Sequence, residues 1–160
     1  GLKMRAWYDI LDFGDLYREV DTRGVLHSVA RINELIEELI EEGFKPDHII
    51  MAGFSQGGVI SYYTALSSKY DLAGLLVMSG YLPDISPLDV AKVQHKKQLP
   101  ILVCHGTQDP IVSIAYGRKA IQHLKDFGLS YQWLEYPMQH SVCAKQVGDI
   151  SKWITQLFTK

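Results

Sequence analysis

Two apolar runs, 72–78 (LAGLLVM) and 99–104 (LPILVC), constrain the fold of this chain most strongly. Neither alternates apolar with polar residues, so both read as short strands buried on both faces. Residues 47–52 (DHIIMA) and 130–136 (SYQWLEY) also read as strands. Between them lie segments of helical period. The first starts at Asp21 or Thr22, runs to about Glu42 with Val25, Val29, Ile32, Ile36 and Leu39 on one side, and stops at Gly43. Others cover 59–68, 112–127 and 143–158, the last with Val147, Ile150, Ile154 and Leu157 inward. Residues 80–98, broken by Pro83 and Pro87, read as a long loop with room for a short helix. Strands buried on both faces that alternate with helices imply an α/β fold, a mostly parallel sheet with helices on both faces.

The first strand ends in Gly53-Phe54-Ser55-Gln56-Gly57-Gly58. Small residues waste volume in a strand, but they allow a sharp turn and a close backbone approach. Strand, tight turn with a central Ser, then helix is the nucleophile-elbow arrangement, and residues 53–57 fit its G-x-S-x-G pattern. Gly57 and Gly58 are expected to let the helix pack close. The backbone N–H of Gln56, at the positive end of that helix, is the expected oxyanion donor.

In parallel sheets functional groups gather beyond the carboxyl ends of the strands. Two further loops answer that rule. His105-Gly106-Thr107-Gln108-Asp109-Pro110 follows the third strand, and Pro137-Met138-Gln139-His140-Ser141 follows the fourth. Ser55, Asp109 and His140 thus occur in the chain order of an α/β-hydrolase triad, each just past its own strand. The chemistry needs all three: an imidazole takes the serine proton, and a carboxylate fixes the tautomer of that imidazole. Asp84 and Asp89 are alternative acids without a strand-end position. His27, His48, His95 and His123 read as surface residues, and His105 as packing beneath the Asp109 loop.

These segments, with residues 4–10 (MRAWYDI) and 79–83 (SGYLP), resemble the phospholipase/carboxylesterase family, small α/β-hydrolases that include bacterial carboxylesterases and acyl-protein thioesterases. The resemblance runs across all 160 residues. It implies Ser55 as nucleophile, Asp109 as acid and His140 as base, with hydrolysis of esters or thioesters without metal or cofactor. Gln139 departs from the pattern, since the family usually has Gly before the His. The front departs more. Family members carry strands before the Trp-Tyr-Asp segment, one ending in a His-Gly-Leu-Gly-like loop with the second oxyanion donor. The expectation is therefore the C-terminal portion of an α/β-hydrolase domain. Its missing strands would come from further residues of the polypeptide, a bound fragment or a neighbouring chain.

One domain, 1–160, is expected from the length. The formal net charge of −2 gives no electrostatic reason to expect nucleic acid or an anionic membrane. No apolar run approaches a membrane span. Cys104 and Cys143 lack metal or redox spacing and read as reduced thiols, which points to the cytoplasm. Substrate-contact candidates are Trp7, Leu82, Ile85, Ile111 and Val112. The leading expectation is a carboxylesterase acting on small to medium acyl esters. Its rivals are an acyl-protein thioesterase or lysophospholipase with the same triad, and a non-catalytic binding protein lacking a full oxyanion site.

Overall fold

The computed structural model describes residues 6–11 and 20–159; the first two residues of the 4–10 segment lie outside them. Helix α1, Thr22–Glu41, is capped by Asp21, whose carboxylate accepts from the Arg23 N–H at 3.1 Å. Val25, Val29 and Ile36 bury its inner stripe, and Gly43 at φ 102° ends it. A 3-10 turn, Pro46–His48, precedes strand β1, Ile50–Phe54. The strand expected from Asp47 is therefore later at its start, because Pro46 sits where a helical turn tolerates a missing N–H. Then follow α2 (Gln56–Ser67), β2 (Gly74–Met78), α3 (Val90–Gln94), β3 (Ile101–Gly106), α4 (Ile114–Asp126), β4 (Gln132–Tyr136) and α5 (Ala144–Phe158).

The strands lie in the order β1-β2-β3-β4, all parallel, with Phe54 level with Met78 and Met78 level with Cys104. Alternation along the strands makes two cores. Leu75, Val77, Ile101 and Val103 face α1, α2 and α4. Leu76, Leu102 and Cys104 face α5, where Trp153 is the largest buried ring. Gly74 makes room for it: a Cβ there would lie 2.7 Å from the Trp153 ring. Trp153 and Gln146 set the inward stripe of α5, so Val147, expected inside, is 55 % exposed.

Only β2 and β3 are buried as the apolar runs predict. In β1, Ala52 and Phe54 are exposed, and in β4, Gln132 and Glu135 are. Both are edge strands among the described residues. Ile49 O accepts from Ala73 N, just before β2, and Ser55 N donates to Met78 O at its end, so the ladder's alternation turns the N–H and C=O groups of Ile50, Ala52 and Phe54 toward the side with no strand among the described residues.

Candidate active site

The turn between β1 and α2 is one residue, Ser55, held at φ 55° and ψ −120°. A non-glycine residue there costs on the order of 1–3 kcal/mol and persists only where its surroundings fix it. Here they do. The Ser55 N–H donates to Met78 O at 2.9 Å, and the Ser55 carbonyl accepts from Gly58 N at 3.0 Å. Gly53 is part of the strand rather than the turn. A Cβ on it would stand 2.1 Å from Gly57 O and 2.2 Å from Gly57 C, so the helix start crosses directly over it. Gly58 meets the end of β2, where a Cβ would lie 3.0 Å from Val77 Cγ1 and 3.2 Å from Gly80 Cα. Gly57, in contrast, faces only the Trp7 indole at 3.7 Å; Gly58 alone supports the expected close packing.

His140 must arch back from β4 over β3 and β2 to reach Ser55 at β1. Backbone contacts guide it. Gln108 N donates to Met138 O at 3.1 Å, and Thr107 N to Tyr136 O at 2.8 Å. Gly106 lets the two loops touch, since a Cβ there would sit 2.4 Å from Met138 O and 2.5 Å from Gln139 O. Gln139 itself is exposed and has an ordinary negative φ, so nothing in its backbone requires the family's glycine.

The result is one hydrogen-bonded chain. His140 Nδ1 lies 2.7 Å from Asp109 Oδ2, and His140 Nε2 lies 3.0 Å from Ser55 Oγ. A carboxylate only accepts, so Nδ1 carries the proton and Nε2 receives the Ser55 hydroxyl. The side chain of Asp109 is fully buried, and that of His140 is 16 % exposed. Asp109 Oδ1 accepts from Ile111 N at 2.9 Å and Val112 N at 2.8 Å. Phe54 tilts against the imidazole of His140, with ring centroids 4.6 Å apart. Gln56 opens α2, so its N–H has no carbonyl one turn back to bond. Its side chain brackets a distant segment: Oε1 accepts from Trp7 N at 3.2 Å and Nε2 donates to Tyr8 O at 3.0 Å.

The alternative acids are occupied elsewhere. Asp84 bonds Ser86, which holds its carboxyl below the usual range, and Asp89 caps α3. Of the substrate-contact candidates, Trp7 and Ile111 are 46 % and 56 % exposed near the site, and Ile85 is partly buried against the core. Leu82 and Val112 are buried with the core, 2 % and 1 % exposed. Sequence reasoning missed Phe54 against His140 and the Gln56 bracket. Adjacency to Ser55 was the one available signal for both. Among the described residues no group of three or more His, Cys, Asp or Glu side chains could hold a metal ion. Both cysteines are free, and burial pushes the Cys104 thiol up to about 11.

A family model described as Phospholipase/Carboxylesterase matches residues 1–158. The chain belongs to this family. Acyl-protein thioesterase 1 of Neurospora crassa is 34 % identical over 169 residues, spanning 100 % of this chain and 68 % of that protein. The crystal structure of Arabidopsis thaliana SOBER1 superposes with a TM-score of 0.89 at 29 % identity, covering 99 % of this chain and 77 % of that one. Zea mays acyl-protein thioesterase 2 gives 0.80 at 24 % identity, over 95 % and 72 %. The parallel sheet with helices that the strand pattern predicts is observed, and the α/β-hydrolase fold that the resemblance implies is the fold of this family member.

Proposed function

We propose that this family member is a serine hydrolase of carboxylic esters that works through an acyl-enzyme. The observation that carries the reading is His140 bonded at once to Ser55 Oγ and to Asp109. In the first half-reaction Ser55 Oγ attacks the acyl carbonyl carbon while its proton passes to His140 Nε2. Asp109 stabilises the imidazolium and keeps the ring's orientation. The carbonyl oxygen, now negative, accepts from the N–H of Gln56. Collapse breaks the bond to the leaving group, which takes the proton from Nε2. Water then repeats the sequence against the acyl-serine. One oxyanion donor of this kind is worth about 100- to 1000-fold in rate. A second donor would come from chain that pairs along the free side of β1.

A fluorophosphonate probe tests the reading. Stoichiometric labelling of the protein that is lost in Ser55→Ala is expected; a protein that is not labelled is a binding module, not a hydrolase. A second reading, hydrolysis of thioesters, is favoured by the names of relatives such as the acyl-protein thioesterase 1 of Neurospora crassa and that of Kluyveromyces lactis. Matched oxygen and sulfur esters of one acyl chain separate the two. A kcat/KM at least tenfold higher on the sulfur ester would make the thioester the preferred substrate class. A series of chain lengths, with lysophospholipid among them, then ranks the acyl groups.

A further inference from the structure

The histidine that precedes the Asp109 loop has a use that the triad does not explain. His105 is the fifth residue of β3 and is 0 % exposed. Its Nε2 lies 2.8 Å from the carbonyl oxygen of Val112. A carbonyl only accepts, so the ring is the Nε2–H tautomer and donates. Its other nitrogen, Nδ1, is buried with no partner among the described residues. That nitrogen lies against α4 so closely that a Cβ on Gly117 would be 2.5 Å from it. Leucine would fill this space without burying an unpaired nitrogen, which folded proteins seldom keep. The imidazole therefore answers to its one good bond.

That bond ends on the turn that holds the acid. The N–H of Val112 donates to Asp109 Oδ1, and the C=O of the same residue accepts from His105. We infer that His105 is a positioning residue: by pinning Val112 from beneath, it keeps both backbone N–H groups on Asp109 Oδ1 and leaves Oδ2 for His140. The inference rests on the triad reading. His105 Nε2 is 3.7 Å from Asp109 Oδ2, too far to bond and close enough to compete if the turn shifts. The charged or titratable groups around it are Asp109, His140 and Glu135. Burial holds its pKa below the ordinary value, so it stays neutral and takes no charge from Asp109. Without the bond, the 109–112 turn relaxes, and a displacement of about 1 Å at Asp109 is enough to cost about 100-fold.

Three variants separate positioning from packing. Glutamine places its side-chain N–H about where Nε2 stands and restores the donor. Leucine fills the space without one, and asparagine is too short to reach Val112. In His105→Leu and His105→Asn, kcat is expected to fall 10- to 100-fold with KM within about threefold, while His105→Gln recovers most of the loss. Folding of each is followed by far-UV circular dichroism. A folded Leu variant with wild-type kcat, or a folded Gln variant as slow as Leu, overturns the assignment. A long-range ¹H–¹⁵N spectrum of the wild-type protein tests it without any variant. The Nε2–H tautomer is expected at pH 8, and the Nδ1–H form overturns it. If the wild-type protein takes no fluorophosphonate, the triad reading fails and the kinetic part of this proposal fails with it, whatever the spectrum shows.

Discussion

Two glycines of one motif should respond in opposite ways to the same added methyl group. In Gly53→Ala the new Cβ would meet Gly57 O at 2.1 Å, Gly57 C at 2.2 Å and Gly58 N at 2.6 Å. All three are backbone atoms, so no rotamer change relieves the clash, and the start of α2 must withdraw by about 1 Å. Overpacking of this kind costs typically 1–3 kcal/mol; with no flexible neighbour the upper end, about 3 kcal/mol, is expected, or a fall in Tm of about 10 °C for a domain of this size. The withdrawal also carries Ser55 Oγ away from His140 Nε2, now 3.0 Å distant, and carries the Gln56 N–H with it. A displacement on that scale costs about 100-fold in rate. In Gly57→Ala the nearest atom is Trp7 Nε1 at 3.7 Å, an ordinary contact. Alanine there should leave stability unchanged or raise it by up to about 1 kcal/mol, since glycine is a poor helix former. Thermal melts give the first quantity and the second-order rate of fluorophosphonate labelling gives the second. A Gly53→Ala protein that melts and labels like wild type would refute the reasoning, as would equal damage from both substitutions.

Ser55→Gly should be inactive yet more stable by about 1–2 kcal/mol, because glycine adopts φ 55° without strain; denaturant titration decides, and a less stable variant counts against a strained elbow. Asp109→Asn should lower kcat by on the order of 10⁴, while Asp84→Asn and Asp89→Asn leave it within about twofold; if either is worse than Asp109→Asn, the acid is misassigned. The buried His105 has a folded pKa below its unfolded value of about 6.5. Below that value the unfolded chain binds a proton that the folded chain does not. Stability due to this group is thus fully present above about pH 6.5 and is lost as pH falls from there through the folded pKa. His105→Gln should flatten that acid slope in urea midpoints measured from pH 8 to 5, and an unchanged slope would contradict it. The protein should associate as concentration rises, through the edge groups of β1 that are unpaired among the described residues, and Ala52→Lys should reduce that association. Sedimentation that shows a monomer at high concentration for the unaltered chain would show the edge to be harmless.

The fold was legible where burial acts on whole segments. The 72–78 and 99–104 runs became β2 and β3 because a strand covered on both faces has no reason to carry polar residues. β1 carries the apolar letters of a central strand and lies at the edge among the described residues, with Ala52 and Phe54 exposed. A strand's neighbours are not written in the strand. The meeting of Ser55, Asp109 and His140 could be anticipated because a parallel sheet brings all strand ends to one side. Leu82 and Val112 could not be assigned, since the face that a loop residue turns inward depends on φ and ψ rather than on residue type. His105 was expected beneath the Asp109 loop, and it lies there. Its partner, the Val112 carbonyl, is a backbone group, and every residue has one.

Ser55 and His140 are separated by 85 positions and stand just past β1 and β4, the edge strands among the described residues, with β2 and β3 between them. Their bond therefore spans the sheet and closes only when all three strand pairings have the correct register. Parallel pairings of such separation are slow to form, because each closes a long loop before it is rewarded. Helices and the β2–β3 pair can assemble early without creating a reactive serine. During refolding the capacity to label should lag behind circular dichroism and appear with the docking of β4. Reactivity would then time the last step of assembly, and a partly folded chain would carry the motif but none of its chemistry.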